Sequence, residues 1–130
     1  MMIRGVRGAI TVEEDAAEAV WEAAGELLRA LIEANEIAEE DVASVIFTTT
    51  PDLVSAFPAK AARDLGWTRT ALMGMQEIDV PGGLPRCIRV LIHWNTTKSI
   101  DELQHVFLRD AVALRPDLSQ EQNDLLDGRG

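Results

Sequence analysis

The segment CIRVLI at residues 87–92 constrains the fold most, because it is a strand pattern with an arginine set inside it. Side chains alternate between the two faces of a strand, so Arg89 shares one face with Cys87 and Leu91, and the three intervening aliphatic residues take the other. Arginine is almost never fully buried without a partner. The segment therefore predicts a strand of a packed sheet, with Arg89 on a face that binds a ligand or meets solvent.

The N-terminal segment MMIRGVRGAI, residues 1–10, repeats this pattern. Arg7 shares a face with Ile3, Gly5 and Ala9, and the small residues beside it, Gly5 and Ala9, leave room for a ligand to approach. Two arginines on apolar strands predict a pocket for an anion, a carboxylate or a phosphate, which guanidinium groups bind bidentately. The alternative interpretation is that both arginines are exposed residues of edge strands.

Length and charge narrow the class of protein. The 130 residues are the ordinary size of one domain, and a hydrophobic content of 47% is enough for one core. The net charge of -10 argues against nucleic acid and against an anionic membrane surface as partners, since both require a basic face. An arginine pocket on so acidic a body must bind its ligand through close contacts and not through long-range attraction.

Cysteine and histidine are scarce. The single cysteine, Cys87, cannot form an internal disulfide, and the two histidines, His93 and His105, are too far apart to suggest a metal site. The chain enters its first strand at once, and neither a signal peptide nor a transmembrane run is visible. We therefore expect a cytoplasmic protein without a metal.

The pattern along the chain predicts strand, helix, strand, helix and then further strands. The predicted strands cover residues 2–10, 42–49, 69–75, 87–95 and 105–114, and the predicted helices run to about residue 35 and over residues 59–65. Thr11 and Glu14 resemble a capping box that would start the first helix, and Ser99 could cap a short helical turn. This order predicts an α/β or α+β fold, a mixed sheet with helices on one face.

Two helices are few for the apolar surface of five strands, so we expect further copies of the chain to close the other face. We predict a single domain over residues 1–118 and a flexible, polar C-terminal tail over residues 119–130.

Glu77 is the third candidate for a site residue. It shares a face with Asp79 and is either a solvated residue, a salt-bridge partner of an arginine or a fixed acceptor for a ligand hydroxyl; the sequence alone favours the structural roles. Lys60 and Arg63 share one face of the short helix, where a solvated basic face is the simpler explanation. Cys87 is predicted to be packed rather than reactive.

None of these candidates is an obvious nucleophile or general acid. The loop at residues 81–83 lacks a following Gly-Lys-Ser/Thr, which excludes a phosphate loop of the nucleotide-binding type. Arginines, a carboxylate and apolar walls remain. That set of side chains can bind a ligand and stabilise charge, but it offers little covalent chemistry.

Seven segments together resemble the monofunctional chorismate mutases of the Bacillus type, the AroH class. They are MMIRGVRGA at residues 1–9, TPDL at 50–53, FPAKA at 57–61, MQE at 75–77, GGL at 82–84, CIRV at 87–90 and LRPDL at 114–118. The resemblance implies a homotrimer with a pseudo-barrel core and active sites at subunit interfaces. It implies the rearrangement of chorismate to prephenate, on the route to phenylalanine and tyrosine, without a cofactor or metal.

The resemblance also implies roles for individual residues. Arg89 would face the ether oxygen of the breaking bond, Arg7 would hold a substrate carboxylate, and Glu77 would accept the ring hydroxyl. The substrate-binding residues it implies are Phe57, Ala59, Lys60, Arg63, Leu72, Met73, Gly74, Phe107, Leu114 and Arg115. Some of these would come from the neighbouring chain.

The chain departs from the family at two of these positions. Phe107 stands where the family commonly has tyrosine, and Gly74 stands where it often has cysteine, so a hydroxyl contact is lost at the first and only backbone contacts are available at the second.

A second hypothesis comes from another class of protein. The chain could be a non-catalytic trimeric module that binds small carboxylates at subunit interfaces.

Overall fold

A computed structural model of the protein describes residues 1–114. Over this part of the chain, five strands form one sheet, and two α-helices and three short 3-10 turns connect them. The strands are β1 (Met2–Thr11), β2 (Val42–Thr49), β3 (Ala71–Gln76), β4 (Cys87–Thr96) and β5 (Val106–Leu108), and the helices are α1 (Ala17–Asn35) and α2 (Ala59–Asp64). The 3-10 turns are Glu39–Asp41, Ile100–Glu102 and Arg109–Leu114.

The sheet is mixed, and its strand order is β3-β2-β4-β1-β5. The central strand β4 is antiparallel to both β1 and β2, whereas β5 runs parallel to β1 and β3 runs parallel to β2. The expected α+β fold with a mixed sheet is confirmed.

One face of the sheet packs against the helices. The buried residues of this core include Val6, Ile10, Val45, Phe47, Ile88, Val90 and Ile92 from the strands, and Val20, Leu27, Leu28 and Leu31 from α1. Every strand residue in that set lies on the face opposite Arg7 or Arg89, as the alternation predicts. We call this side of the sheet the helix face and the other side the open face.

Gly8 allows β1 to lie close to its neighbours. A Cβ at this position would meet the carbonyl oxygen of Val106 at 2.7 Å and the Cδ1 of Leu27 at 2.9 Å. Contacts that short do not occur in folded proteins, so a side chain here would push α1 or β5 away from the sheet.

The open face is partly covered at one end. There the turn Arg109–Leu114 packs over a small cluster of buried residues, Ala9, Cys87 and Ala111. Elsewhere on this face large apolar side chains meet solvent: Met73 is 59% exposed and Ile3 is 56% exposed.

Two expectations from the sequence are wrong. Thr11 does not cap α1: it belongs to β1, its Oγ1 accepts the N–H of Asp110 at 3.2 Å, and α1 begins at Ala17 without a side-chain cap. The last strand does not run to Leu114. Arg109 takes a left-handed backbone conformation, with φ of 54°, which ends the pairing of β5 with β1.

The predicted cap at Ser99 is confirmed, since its N–H donates to the Oε1 of Glu102 at 2.8 Å. In the described part of the chain, neither helix has the length and apolar character needed to cross a membrane. The predicted domain end at residue 118 and the predicted tail over residues 119–130 lie outside the described residues.

Candidate active site

One row of paired residues crosses the whole sheet on its open face. From β5 to β3 the row is Phe107, Ala9, Arg89, Thr48 and Met75. Residues paired across strands point their side chains to the same face and contact one another. Arg89 therefore lies at the middle of the sheet, between a small residue on one side and a hydroxyl on the other.

Glu77 lies beside this row at the edge of the sheet, two residues beyond Met75. It follows β3 directly, and its main-chain N–H donates to the carbonyl of Thr49 at 2.8 Å, which fixes its backbone. Its Oε1 lies 3.1 Å from the Nε of Arg89, and its Oε2 accepts the hydroxyl of Thr48 at 2.6 Å. The side chain of Glu77 is only 19% exposed, against 48% for Arg89.

The ion pair is the structural role that the sequence favoured for Glu77, and the structure contains it. The ion pair does not prevent Glu77 from accepting a ligand hydroxyl, because a carboxylate has about four acceptor sites and only two are used by Arg89 and Thr48. Arg89 likewise uses only its Nε in this pair, out of five N–H donors in the guanidinium.

A cleft of about 850 Å³ opens beside this pair. Its polar wall contains Arg89, Glu77 and Thr48, and the loop between β3 and β4, residues 78–85, forms much of the rest. At the end of the loop next to β4, the main-chain N–H of Arg86 donates to the carboxylate of Asp52 at 2.9 Å and holds the loop in place. A cation and a fixed acceptor thus lie together at the wall of a cleft large enough for a small carboxylate.

Arg7 lies on the same face as Arg89, one row away, where it pairs with Leu91. Its side chain is exposed, and its main-chain N–H donates to the Nδ1 of His105 at 3.1 Å. Partial burial lowers the pKa of His105. The structure therefore places Arg7 and Arg89 on one face of the sheet.

Phe107 and Leu114 lie at the covered end of the open face. Both are partly buried and pack against the cluster that contains Cys87. Burial raises the pKa of the Cys87 thiol to about 11, so the thiol stays protonated at neutral pH. The interpretation of Cys87 as a packed residue is confirmed.

A second group of predicted site residues lies on the other side of the sheet, beside α1. Phe57, which is 79% exposed, is held by its carbonyl, which accepts the indole N–H of Trp21 at 3.2 Å. The Nζ of Lys60 lies 4.5 Å above the Trp21 ring and 2.8 Å from Asp64. Arg63 lies in the last turn of α2 and is exposed.

An apolar cavity of about 480 Å³ adjoins this second group and is lined by Phe57, Trp21 and Gly74 among others. Ala59 is buried in the core, and Leu72 is partly buried against that core. Met73 pairs with Ile46 and belongs to the open face. Arg115 lies outside the described residues.

A single chain therefore does not bring the predicted site residues together. Arg7, Arg89, Glu77 and Phe107 are on the open face, whereas Phe57, Lys60 and Arg63 are on the helix side. The sequence analysis did not identify Thr48, whose hydroxyl donates to the same Glu77 carboxylate that pairs with Arg89. Strand alternation over residues 42–49 places Thr48 on the face opposite the buried Phe47, but its pairing with Arg89 depends on the register of β2 with β4.

Comparison with known proteins identifies the family. The family model for chorismate mutase type I matches residues 3–118. A chorismate mutase AroH from Thermus thermophilus is 57% identical over 122 residues, covering 93% of this chain and 100% of the relative. The AroH protein of Bacillus subtilis is 48% identical over 124 residues, covering 95% of this chain and 98% of the relative.

A solved structure agrees with the sequence comparison. A chorismate mutase from Clostridium thermocellum superposes with a TM-score of 0.84 at 48% identity, covering 85% of this chain and 98% of that chain. The chain thus belongs to the chorismate mutase type I family.

Proposed function

We propose that this protein converts chorismate to prephenate at a site that two subunits share, by holding the substrate in its reactive conformer and stabilising charge at the breaking bond. The protein is a chorismate mutase, an isomerase of aromatic amino acid biosynthesis. The observation that supports the proposed mechanism is the Arg89–Glu77 pair at the wall of the cleft, with Arg89 at the centre of the sheet.

The chemistry needs no nucleophile. In this rearrangement one carbon–oxygen bond breaks and one carbon–carbon bond forms within the same molecule, so atoms and electrons balance without a co-reactant. The task of the protein is to restrict a flexible substrate, which lowers the entropic part of the barrier. A fixed cation at the ether oxygen, where negative charge develops, lowers the electrostatic part.

We assign that cation to Arg89. Its Nε is engaged with Glu77, which fixes the plane of the guanidinium, and we assign the contact with the ether oxygen to its terminal N–H groups. Glu77 accepts the ring hydroxyl, and Arg7, on the same face, binds a carboxylate of the substrate. Phe107 contributes an apolar wall at the other end of the row.

We further propose a homotrimer. The open face exposes Ile3, Met73 and Met75, and apolar surface of this kind is typically buried in obligate interfaces. A neighbouring subunit that packs on this face would bring its own Phe57, Lys60 and Arg63 to the cleft, together with Arg115 from one of the chains. The cleft of this acidic protein would then be lined by basic side chains, which suit the two carboxylates of chorismate. We place the enzyme in the cytoplasm.

The activity is tested by following chorismate absorbance with the purified protein. We expect a loss far above the spontaneous rate, and we expect Arg89→Ala to abolish most of it. The non-catalytic binding module makes the opposite prediction, since chorismate would bind, as seen by calorimetry, and its absorbance would fall no faster than the spontaneous rate.

The shared site is tested by mixing two inactive variants. Arg89→Ala disables the open-face group and Arg63→Ala disables the helix-side group. Co-expressed chains of the two variants form some interfaces in which both groups are intact, so we expect activity to return. Mixed chains that stay inactive, or light scattering that finds an active monomer, would contradict the shared site.

A further inference from the structure

We propose that Thr48 is a positioning residue that sets the orientation of the Glu77 carboxylate and, through it, the aim of the Arg89 guanidinium. This inference rests on the proposed function and extends it by a residue of the cleft wall whose hydroxyl acts through Glu77. Its basis is one contact chain across the open face, from the Thr48 hydroxyl to Glu77 and from Glu77 to Arg89.

The hydrogen bond from Thr48 is short and charge-assisted. At 2.6 Å from Oγ1 to Oε2, it has the length expected for a hydroxyl that donates to an ionised carboxylate. Each Glu77 oxygen then has one fixed partner, since Oε1 pairs with Arg89 at 3.1 Å. A carboxylate held at both oxygens has little rotational freedom left, so its remaining acceptor sites point in set directions.

The donor itself is rigid. Thr48 lies within β2, directly opposite Arg89 in the register, and β-branched side chains have few χ1 rotamers in a strand. By contrast, Glu77 lies just beyond the end of β3, where its main-chain N–H donates to the carbonyl of Thr49. A flexible side chain at a strand end is therefore oriented by a stiff one inside the sheet.

Removal of the Thr48 hydroxyl has a specific consequence. Glu77 could then rotate about its terminal torsion, and both the acceptor for the ring hydroxyl and the partner of Arg89 Nε would lose their fixed geometry. Preorganised groups contribute to catalysis only while they stay aimed at the developing charge. We therefore expect kcat to fall as well as the affinity for substrate.

The test substitutes Thr48→Val, which keeps the shape and strand propensity and removes the hydroxyl. We expect kcat/KM to fall about ten- to a hundred-fold, the range for loss of a hydrogen bond to a charged group. Thr48→Ser should recover most of the lost activity. Ser44→Ala removes a hydroxyl on the same face of β2 that bonds His93 at 2.9 Å and not Glu77, and it should change kcat/KM by no more than about two-fold.

A double-mutant cycle separates positioning from general damage. In a Glu77→Ala background, Thr48→Val should cost almost nothing further, because the group that Thr48 orients is gone. An equal loss in both backgrounds, or full activity in Thr48→Val and Thr48→Ala alike, would overturn the proposal. Failure of the proposed function is a distinct outcome, since the unmodified protein itself would then leave chorismate unchanged.

Discussion

The main-chain N–H of Arg7 donates a hydrogen bond to the Nδ1 of His105, at 3.1 Å. An imidazole accepts a hydrogen bond at Nδ1 only while that nitrogen carries no proton, so the folded protein holds His105 neutral, with its proton on Nε2. Burial lowers the pKa of His105 from its ordinary value of 6.5. The strand that carries Arg7 is thus joined to the segment before β5 by a contact that protonation removes.

Stability should therefore fall in mild acid. Because the pKa of His105 is lower in the folded state, the unfolded chain binds a proton first as the pH drops, and the free energy of unfolding decreases below about pH 6.5 and on through the lower folded pKa. Above that window His105 is neutral in both states and has no effect. Urea unfolding at fixed protein concentration across this pH range measures the slope.

His105→Asn is the matched control. Its side-chain oxygen lies near the position of Nδ1 and can accept the Arg7 N–H, but it does not titrate. We expect this variant to lose the part of the pH dependence that lies just below 6.5. An unchanged slope would assign the acid sensitivity to other groups.

Arg89→Lys should lower kcat far more than it changes KM. Lysine keeps the positive charge but loses the planar fork that pairs with Glu77 through Nε and leaves further donors for the ether oxygen. A donor that acts mainly in the transition state affects kcat, and loss of one such donor costs about 3–4 kcal/mol in other enzymes. Steady-state kinetics decides this, and near-normal kcat would remove Arg89 from the proposed role.

Glu77 should act as a fixed acceptor and not as a proton shuttle. Glu77→Gln keeps one oxygen for the ring hydroxyl and should retain part of the activity, whereas Glu77→Ala should lose much more. The reaction rates in H₂O and D₂O provide the second measurement. A sizeable solvent isotope effect on kcat would indicate proton transfer in the chemical step and contradict this role.

The sequence predicted the sheet well because alternation is a local property. The strand at residues 42–49 and both arginine-bearing strands are confirmed, since the large buried apolar side chains of each lie on the helix face. The predictions from the sequence were wrong where one residue fits two local patterns or where a strand ends without a sequence signal. Thr11 followed by Glu14 is a plausible cap, but Thr11 is used by β1, and the left-handed backbone at Arg109 has no mark in the sequence.

The site was only partly predictable, for a different reason. Arg7 and Arg89 stand out in the sequence as charges among apolar residues. Glu77 was predicted as a third candidate, and it pairs with Arg89 in the structure. Thr48 did not stand out, because a threonine in a strand is ordinary. Its importance depends on which residue pairs with it across the sheet, and the register of β2 with β4 is a long-range property that no single segment contains.

Phe107→Tyr should lower KM with little change in kcat. Phe107 lies in the row of Arg89 and pairs with Ala9, so a hydroxyl added to its ring would extend along the open face. A well-aligned hydrogen bond to a charged substrate group is worth roughly 1.5–3 kcal/mol. Substrate titration measures the effect. An unchanged or higher KM would mean that the ring is distant from the substrate or is packed too tightly to accept the hydroxyl.

Asp15→Ala should raise KM, although Asp15 lies outside both groups of site residues. Its Oδ1 accepts the main-chain N–H groups of Val54 and Ser55, each at 3.1 Å, and so holds the segment that presents Phe57. Hydrogen bonds from Ser55 and Val54 lower the pKa of the Asp15 carboxyl. Without this acceptor the segment keeps only the bonds from the Ser55 hydroxyl to the Asp15 carbonyl and from the Trp21 indole to the Phe57 carbonyl. The wall that Phe57 provides to the neighbouring subunit's cleft then becomes less well placed.

We expect KM to rise about ten-fold or less, with a smaller fall in kcat, because Asp15 positions a wall of the site and does not touch the reacting bond. Asp15→Asn keeps one oxygen acceptor and should recover most of the loss, and Glu13→Ala removes a nearby exposed carboxylate as the control for charge. Limited proteolysis of residues 53–57 gives an independent readout, since Asp15→Ala should be cleaved there faster. Unchanged KM together with faster cleavage would show that the segment is held by Asp15 but that Phe57 takes no part in substrate binding.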